Sequence, residues 1–309
     1  MIFVIIFILL VIITILLFVF GMKFFILACK KDDKSIIKNI EKHNIDLTER
    51  IVDANVEWFK EMDIKDLYIK SNDGLKLHAT YLAAPNPYRT VICVHGYRAE
   101  GISDFSNIVR YLNMNHSNVL IIDQRACGES EGDFITFGAK EKEDLKLWIE
   151  TVVNKIDDKV PIYLYGISMG ATTSLLTLEY KLPFQVKGVI ADSAYTSMNN
   201  VFDTLLSSWF HLPGFPIINI INMYCGMIAH FNMDDTNTAK ALKENEIPVM
   251  FIHGEKDTFV SPENTRTNYA LTKGAKEILW IPEANHAEAI LKDPNIYHAK
   301  LEYFFDTYK

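Results

Sequence analysis

Gly166-Ile167-Ser168-Met169-Gly170 contains the residues of this chain that are best suited to chemistry. The segment follows the short apolar run Pro161–Tyr165 and precedes a stretch typical of a helix that begins at Ala171. A Gly-x-Ser-x-Gly between a strand and a helix is the nucleophile elbow, a sharp turn that projects the serine hydroxyl above a sheet. The glycines are needed because side chains at their positions would collide with the crossing strand and helix. The segment therefore predicts Ser168 as a nucleophile.

A serine hydroxyl needs a neighbouring base to take its proton, and that base needs a third group to orient it. Around such an elbow the chain order is serine, then acid, then histidine. Asp257 follows the apolar run Pro248–Ile252 and is predicted to be the acid, with Glu255 as its rival and a turn-forming role as the alternative. His286 follows the next apolar run and is predicted to be the base. Only His298 also lies beyond Asp257, in a segment expected to form the final helix.

An oxyanion hole requires two backbone N–H donors that point at the developing negative charge. Met169 comes directly after the nucleophile at the start of a helix and is predicted to supply one of them. Tyr97, in His95-Gly96-Tyr97-Arg98 after an early strand, is predicted to supply the other, and a plain turn is the alternative interpretation of that segment.

The elements that must position these residues are indicated by the spacing of apolar side chains. Asp66–Lys70 and Leu75–Leu82 alternate at period two, and Ser71-Asn72-Asp73-Gly74 between them predicts a hairpin. Beyond the hairpin, short apolar runs alternate with helical stretches, which is typical of a parallel sheet with crossover helices. The runs are Val91–Val94, Val119–Ile122, Ile162–Tyr165, Val189–Ala191, Val249–Ile252 and Ile278–Ile281. We therefore expect an α/β fold with a mostly parallel, eight-stranded sheet and helices on both faces.

One insertion, at about residues 195–235, interrupts this alternation and holds no strand candidate. It is rich in large apolar side chains, namely Phe202, Leu205, Leu206, Trp209, Phe210, Phe215 and Ile217. Long insertions in compact domains are often functional, so we expect a helical cap over a pocket. Extra helices of the core are the alternative.

The N-terminal residues 1–22 carry no charged side chain and are long enough to cross a bilayer as a helix. A secretory signal would show a basic start and a small-residue cleavage site, and both are missing. Ile26-Leu27-Ala28-Cys29 only weakly resembles a lipoprotein cleavage box. We predict an uncleaved transmembrane anchor at 1–22, a juxtamembrane stalk at 23–65 and a catalytic domain at 66–309.

Charge indicates the orientation and excludes some partners. Lys23, Lys30, Lys31 and Lys34 follow the predicted span and no charged side chain precedes it, so the positive-inside rule predicts a cytoplasmic domain on a single-pass membrane protein. A net charge of −8 without a dense basic block argues against a nucleic-acid partner. The four cysteines are scattered, and no histidine or acid spacing suggests metal ligands, so we expect neither a metal nor an organic cofactor.

With these residues in place, the chain resembles an α/β-hydrolase of the serine-aminopeptidase and prolyl-oligopeptidase-like branch, in a bacterial membrane-anchored form. The resemblance covers roughly Leu67–Tyr308 and rests on the elbow, on His95-Gly96-Tyr97, on Asp123-Gln124-Arg125-Ala126-Cys127-Gly128-Glu129-Ser130-Glu131-Gly132, and on His253-Gly254 before Asp257. Arg125 and Ser130 are interpreted as bracing the loop beside the site. A serine at the elbow, in place of an aspartate, argues against the dehalogenase and epoxide-hydrolase branches.

The resemblance implies a serine hydrolase that works through an acyl-enzyme, with Ser168, His286 and Asp257 as its triad. We expect a carboxylic ester as substrate, and the apolar cap and anchor favour a lipid-like acyl chain. Peptidase activity is the enzymatic alternative, although an aminopeptidase would need a carboxylate for the free amino terminus and the sequence does not place one. A catalytically silent, membrane-tethered binding protein is the alternative from another class.

Overall fold

The molecule is built around one β-sheet. The computed structural model describes residues 1–31, 53–99, 101–156 and 159–309. The strand order of the sheet is β1-β2-β4-β3-β5-β6-β7-β8. The strands are β1 (Ile64–Lys70), β2 (Lys76–Leu82), β3 (Arg89–Val94), β4 (Ser117–Ile122), β5 (Ile162–Ile167), β6 (Val186–Asp192), β7 (Val249–Gly254) and β8 (Lys276–Ile281). β2 pairs antiparallel with β1 and with β4, and the remaining pairs are parallel. The predicted mostly parallel, eight-stranded sheet is confirmed.

The burial of the strands explains why apolar runs in the sequence predicted their positions. Every residue of β3, β4, β5 and β7 is buried, as expected for parallel strands that are covered on both faces. β1 lies at the edge and shows mixed exposure. The predicted hairpin joins β1 to β2, and Gly74 in its turn has a φ of +94°, a conformation that favours glycine.

Helices cover both faces of the sheet. In chain order they are α1 (Ile2–Cys29), α2 (Asp53–Glu61), α3 (Gly101–Met114), α4 (Glu141–Thr151), α5 (Met169–Thr177), α6 (Met198–Trp209), α7 (Ile217–Tyr224), α8 (Ala239–Glu244), α9 (Glu263–Leu271), α10 (Ala289–Lys292) and α11 (Pro294–Thr307). One apolar cluster joins α3 and α11 to one face of the sheet, and another joins α4 and α5 to the other face. This three-layer arrangement fixes the crossover loops, and therefore the site residues, at the carboxyl edge of the parallel strands.

A third apolar cluster lies outside these two layers and involves the insertion at 195–235. The insertion contains α6, α7, a π-helical segment (Cys225–Ala229) and a 3₁₀ turn (Met233–Thr236). Its buried side chains pack with the C-terminal part of α1 and with Met169 at the start of α5. The inserted helices therefore lie beside the elbow.

The N-terminal helix extends beyond the predicted transmembrane anchor. The predicted span stops at residue 22, whereas α1 continues to Cys29 and buries Gly21, Phe24, Phe25, Ala28 and Cys29. The cause is helical spacing, because these residues share one face while charged residue 23 lies on the exposed face. Residues 23–31, assigned to a stalk, thus pack on the domain, and residues 32–52 of that stalk lie outside the described residues.

Candidate active site

Ser168 occupies a strained turn between β5 and α5. Its φ of 54° and ψ of −114° place a residue with a side chain in a sparsely populated region, as a nucleophile elbow requires. Its N–H donates to the carbonyl of Asp192 at 2.8 Å, which fixes the turn to the end of β6. A Cβ on Gly166 would overlap the backbone of Gly170, and one on Gly170 would overlap the carbonyl oxygen of Val94. Both glycines are therefore sterically required.

A continuous hydrogen-bonded chain links Ser168 to Asp257 through His286. His286 Nε2 lies 2.8 Å from Ser168 Oγ, and His286 Nδ1 lies 2.7 Å from Asp257 Oδ2. All three side chains are buried. Because an ionised carboxylate only accepts hydrogen bonds, the imidazole proton lies on Nδ1, and Nε2 accepts from the serine hydroxyl.

Asp257 has the environment of a permanently ionised carboxylate. Its Oδ1 accepts from the N–H groups of Phe259 and Val260 at 2.9 and 2.8 Å, and its Oδ2 also lies 3.1 Å from His253 Nε2. Burial alone would raise the pKa of Asp257, but its electrostatic interaction with His286 and the hydrogen bonds of His253 and His286 hold that pKa well below its usual value. Glu255, the rival acid, is exposed to solvent.

The loop that carries His286 is held by residues that sequence reasoning missed. The N–H of Ala287 donates to Ser193 Oγ at 3.1 Å, and that hydroxyl donates to buried Asp192 Oδ1 at 2.9 Å. Tyr297 on α11 donates to the other oxygen of Asp192 at 2.8 Å. The only signal for this group in the sequence is a polar pair at the end of an apolar run, which does not reveal its distant partners.

The two predicted oxyanion residues both lie close to Ser168. Met169 is the first residue of α5, and the first N–H groups of a helix have no partner within it. Tyr97 lines the same cleft as Ser168, and a Cβ on neighbouring Gly96 would lie 3.5 Å from the Cβ of Ser168. The structure therefore brings both predicted segments to the nucleophile.

The loop that carries Tyr97 is fixed from two directions. Gln124 donates through Nε2 to the carbonyl of His95 at 2.6 Å, and its own N–H lies 3.0 Å from His95 Nε2. On the other side, the hydroxyl of Tyr97 donates to the carbonyl of Ala28 at 2.6 Å, and Arg98 donates to the carbonyl of Leu27 at 3.0 Å. The last turn of α1 is therefore part of the frame of this loop.

Arg125 and Ser130 brace the segment after β4, in agreement with their interpretation from sequence. Arg125 forms a two-pronged pair with buried Asp144 at 2.7 and 2.8 Å and a second pair with Asp73 at 2.8 Å. Ser130 Oγ donates to the carbonyl of Asp123 at 2.6 Å and accepts from the N–H of His78 at 2.9 Å. These contacts connect the loop to α4 and to the hairpin.

We expect Arg125→Met to lower the free energy of unfolding by about 3–5 kcal/mol, because it leaves the buried Asp144 carboxylate without its partner. Urea unfolding followed by circular dichroism measures the loss. Lys146→Gln is the matched control, since it removes a partly exposed i,i+4 pair with Glu150 and a cation–π contact with Tyr180, which together contribute about 1 kcal/mol or less. Equal effects of the two substitutions would contradict the bracing role.

The cleft above Ser168 is apolar. It is lined by Tyr97, Phe137, Ser168, Met169, Tyr195, Val201, Phe202, Leu205, Trp209, Phe259 and Val260. None of these side chains carries a charge, and four of them belong to α6 of the insertion. The cleft therefore suits a hydrocarbon group held next to the serine hydroxyl.

Comparison with known proteins agrees with this fold and with the elbow. The family model described as serine aminopeptidase, S33 matches residues 85–219, which include Tyr97, Ser168 and Met169 but end before Asp257 and His286. A Pyrococcus furiosus esterase, Pf2001, superimposes with a TM-score of 0.67 at 23% identity, over 84% of this chain and 96% of its own. The chain therefore has the α/β-hydrolase fold.

Relatives of this chain extend over most of its length. Protein YqkD of Bacillus subtilis is 25% identical over 90% of this chain and 88% of its own. Among solved structures, an acylaminoacyl peptidase of Pyrococcus horikoshii superimposes with a TM-score of 0.59 at 16% identity, over 83% of this chain and 43% of its own. An esterase and a peptidase thus share the fold, and the fold does not by itself select the substrate.

Proposed function

We propose that this protein is a serine hydrolase that cleaves carboxylic esters through an acyl-enzyme. The observation that supports it most strongly is the unbroken hydrogen-bonded chain from Ser168 Oγ through His286 to Asp257. Such a chain allows a neutral serine to attack, because the proton it must lose has an acceptor already in contact.

Each residue has a defined role in the proposed reaction. Ser168 Oγ attacks the ester carbonyl while His286 Nε2 takes its proton, and the N–H groups of Met169 and Tyr97 hold the resulting oxyanion. When the tetrahedral intermediate collapses, the C–O bond to the alcohol breaks and the imidazolium returns the proton to the leaving oxygen. Water, deprotonated by the same imidazole, then releases the acid and restores the serine. The ionised carboxylate of Asp257 stabilises the imidazolium in both halves.

The composition of the cleft supports an ester with an apolar acyl group. An aminopeptidase needs a negative group to bind the free amino terminus, and no charged side chain lines the cleft in the described part of the chain. Peptidase activity remains the enzymatic alternative, since the family model and one structural neighbour carry peptidase names. A silent binding protein would have no need of the strained serine or of its aligned base.

Labelling with a fluorophosphonate probe tests the proposal. The fluorophore-linked probe phosphonylates only a serine that is activated by a base, with loss of fluoride, so we expect the full-length protein in detergent to become fluorescent at one site. Prior heat denaturation should abolish the label. A folded protein that takes up no probe would support the binding-protein alternative.

We also propose that α1 is retained as a single-pass anchor, with the catalytic domain in the cytoplasm. Among the described residues, α1 is the one helix long and apolar enough to span a bilayer. Its C-terminal part contributes Phe24 and Phe25 to the buried cluster beside the elbow, so removal of the helix would expose apolar surface. Mass spectrometry of protein extracted from membranes is expected to find the N-terminal peptide, and a mature start near Cys29 would contradict retention.

We expect Leu205→Trp to shorten the acyl chains that the protein accepts. Leu205 lines the cleft from α6, and because the free volume there is only about 30 Å³, a larger ring would hinder the opening that a long acyl chain requires. Each buried methylene contributes about 0.8 kcal/mol, so the preference for an octanoyl over a butyryl ester should fall by about 100-fold. Comparing kcat/KM for the two p-nitrophenyl esters measures this, and the butyryl rate of the same variant shows whether the machinery is intact. An unchanged ratio would place the acyl group elsewhere.

A further inference from the structure

The free part of α1 is too short to cross a bilayer by itself. Residues 1–16 are exposed along their whole length, and contacts with the domain begin at Leu17. At 1.5 Å per residue, this free part measures about 24 Å, against about 30 Å for the hydrocarbon core. For α1 to span the core, the helix from Leu17 to about Phe20 must lie in the hydrocarbon, together with whatever packs against it.

The residues that pack there belong to the cap. The hydroxyl of Tyr224 on α7 donates to the carbonyl of Phe18 at 3.3 Å, and the ring of Phe210 meets that of Phe20 edge-on at 6.2 Å. The cap thus contacts α1 on the N-terminal side of Lys23, which is the first charged side chain of the sequence.

The composition of this part of the cap matches a lipid environment. Between Asp203 and Asp234 the sequence contains no Asp, Glu, Lys or Arg. Large apolar side chains in this interval are exposed to the surroundings, namely Phe210, Phe215, Met223 and Met227. Soluble domains rarely expose contiguous apolar patches, and those that they do expose commonly mark an interaction surface.

We propose that the face of the cap formed by residues 210–227 inserts into the lipid bilayer from which α1 emerges. The exposed side chains of α7 and of the π-helical segment after it then lie at the hydrocarbon boundary, at a depth typical of interfacial helices. The free part of α1 is about 6 Å shorter than the hydrocarbon core is thick. When the cap enters the bilayer, the next turn of α1 enters with it, so α1 and the cap form one membrane-bound unit.

A consequence for the substrate rests on the proposed ester hydrolysis. Trp209 lines the cleft, stacks on Phe259 at 6.1 Å between ring centroids, and directly precedes lipid-facing Phe210. The ring of Phe259 in turn meets His286 edge-on at 5.0 Å. These aromatic side chains lie between the lipid-facing surface and the catalytic centre, so an ester that entered from the leaflet would pass along an apolar wall to Ser168.

Lipid contact can be measured at one pair of matched positions. Met227 and Met114 are both 67% exposed, and Met114 ends α3 near the start of β4, at the edge of the sheet opposite to the site. The four native cysteines are buried, so Met227→Cys and Met114→Cys can each be labelled with an environment-sensitive NBD fluorophore in the full-length protein. In phosphatidylcholine–phosphatidylglycerol vesicles we expect doxyl-labelled lipids to quench the probe at 227 by about twofold and to leave the probe at 114 unchanged. Equal quenching at the two positions would overturn the proposal.

A second pair of variants separates this inference from the proposed function. We expect Met227→Glu to lower hydrolysis of a long-chain ester embedded in vesicles by about tenfold, because a carboxylate is costly in the bilayer, with no change for a water-soluble butyryl ester. Met114→Glu should alter neither rate. If Met227→Glu hydrolyses both esters like the wild type, insertion of the cap is wrong while the ester hydrolase stands. If the wild type hydrolyses neither ester and takes up no fluorophosphonate, the proposed function fails, and the quenching experiment still decides insertion.

Discussion

Ser168→Ala is expected to lower kcat for a short p-nitrophenyl ester by about 10⁶-fold and to abolish labelling by a fluorophosphonate. The substitution removes the attacking oxygen, and His286 and the oxyanion donors then have no covalent step to promote. The fold should survive, because alanine can keep the backbone conformation of residue 168 and the substitution removes no packing contact of the core.

Ser174→Ala is the matched control for this loss. Ser174 is also buried on α5, but its hydroxyl donates to the carbonyl of Gly170 at 2.8 Å and does not face the cleft. We expect this variant to keep its activity within a few-fold of the wild type. If Ser168→Ala retained a comparable rate, Ser168 would not be the nucleophile.

Asp257→Asn is expected to lower kcat by about 10⁴-fold with little change in fold. Two backbone N–H groups donate to Oδ1, so the amide oxygen of the asparagine takes that position and its NH₂ group faces the imidazole of His286. A donor in this place forces Nδ1 of the imidazole to accept and moves the proton to Nε2. The imidazole then meets Ser168 with an N–H and cannot take the serine proton.

Glu255→Gln is the control for this substitution, because the side chain of Glu255 in the same loop is exposed. We expect wild-type kinetics from it, measured under the same conditions of substrate saturation. If Glu255→Gln lost activity and Asp257→Asn did not, the acid would have been assigned to the wrong carboxylate.

The parts of the fold that the sequence predicted are those governed by short-range patterns. β3, β4, β5 and β7 are buried on both faces, so each appears as a continuous apolar run with a turn former after it. The elbow is equally local, since its two glycines and its serine occupy five consecutive residues. These local patterns were enough to predict the sheet, and in the structure the predicted site residues lie at one edge of it.

The remaining features depend on contacts between distant segments. His253 directly follows the apolar run of β7, and nothing near it in sequence shows that it contacts Asp257 Oδ2. Asp192 and Tyr297 are 105 positions apart, and their hydrogen bond exists only once β6 and α11 are packed. The extension of α1 beyond residue 22 also depends on distant contacts, because the lysine at 23 ends an apolar run but does not end a helix whose next turns pack against the insertion.

Trapping the covalent intermediate tests the central claim most directly. The wild-type protein is mixed with p-nitrophenyl butyrate, quenched with acid within milliseconds, digested and examined by mass spectrometry. The account predicts a butyryl group on the peptide that contains Ser168, formed together with the first equivalent of p-nitrophenol and lost as turnover proceeds. Release of p-nitrophenol without an acyl group on that serine, or with one on another residue, would contradict it.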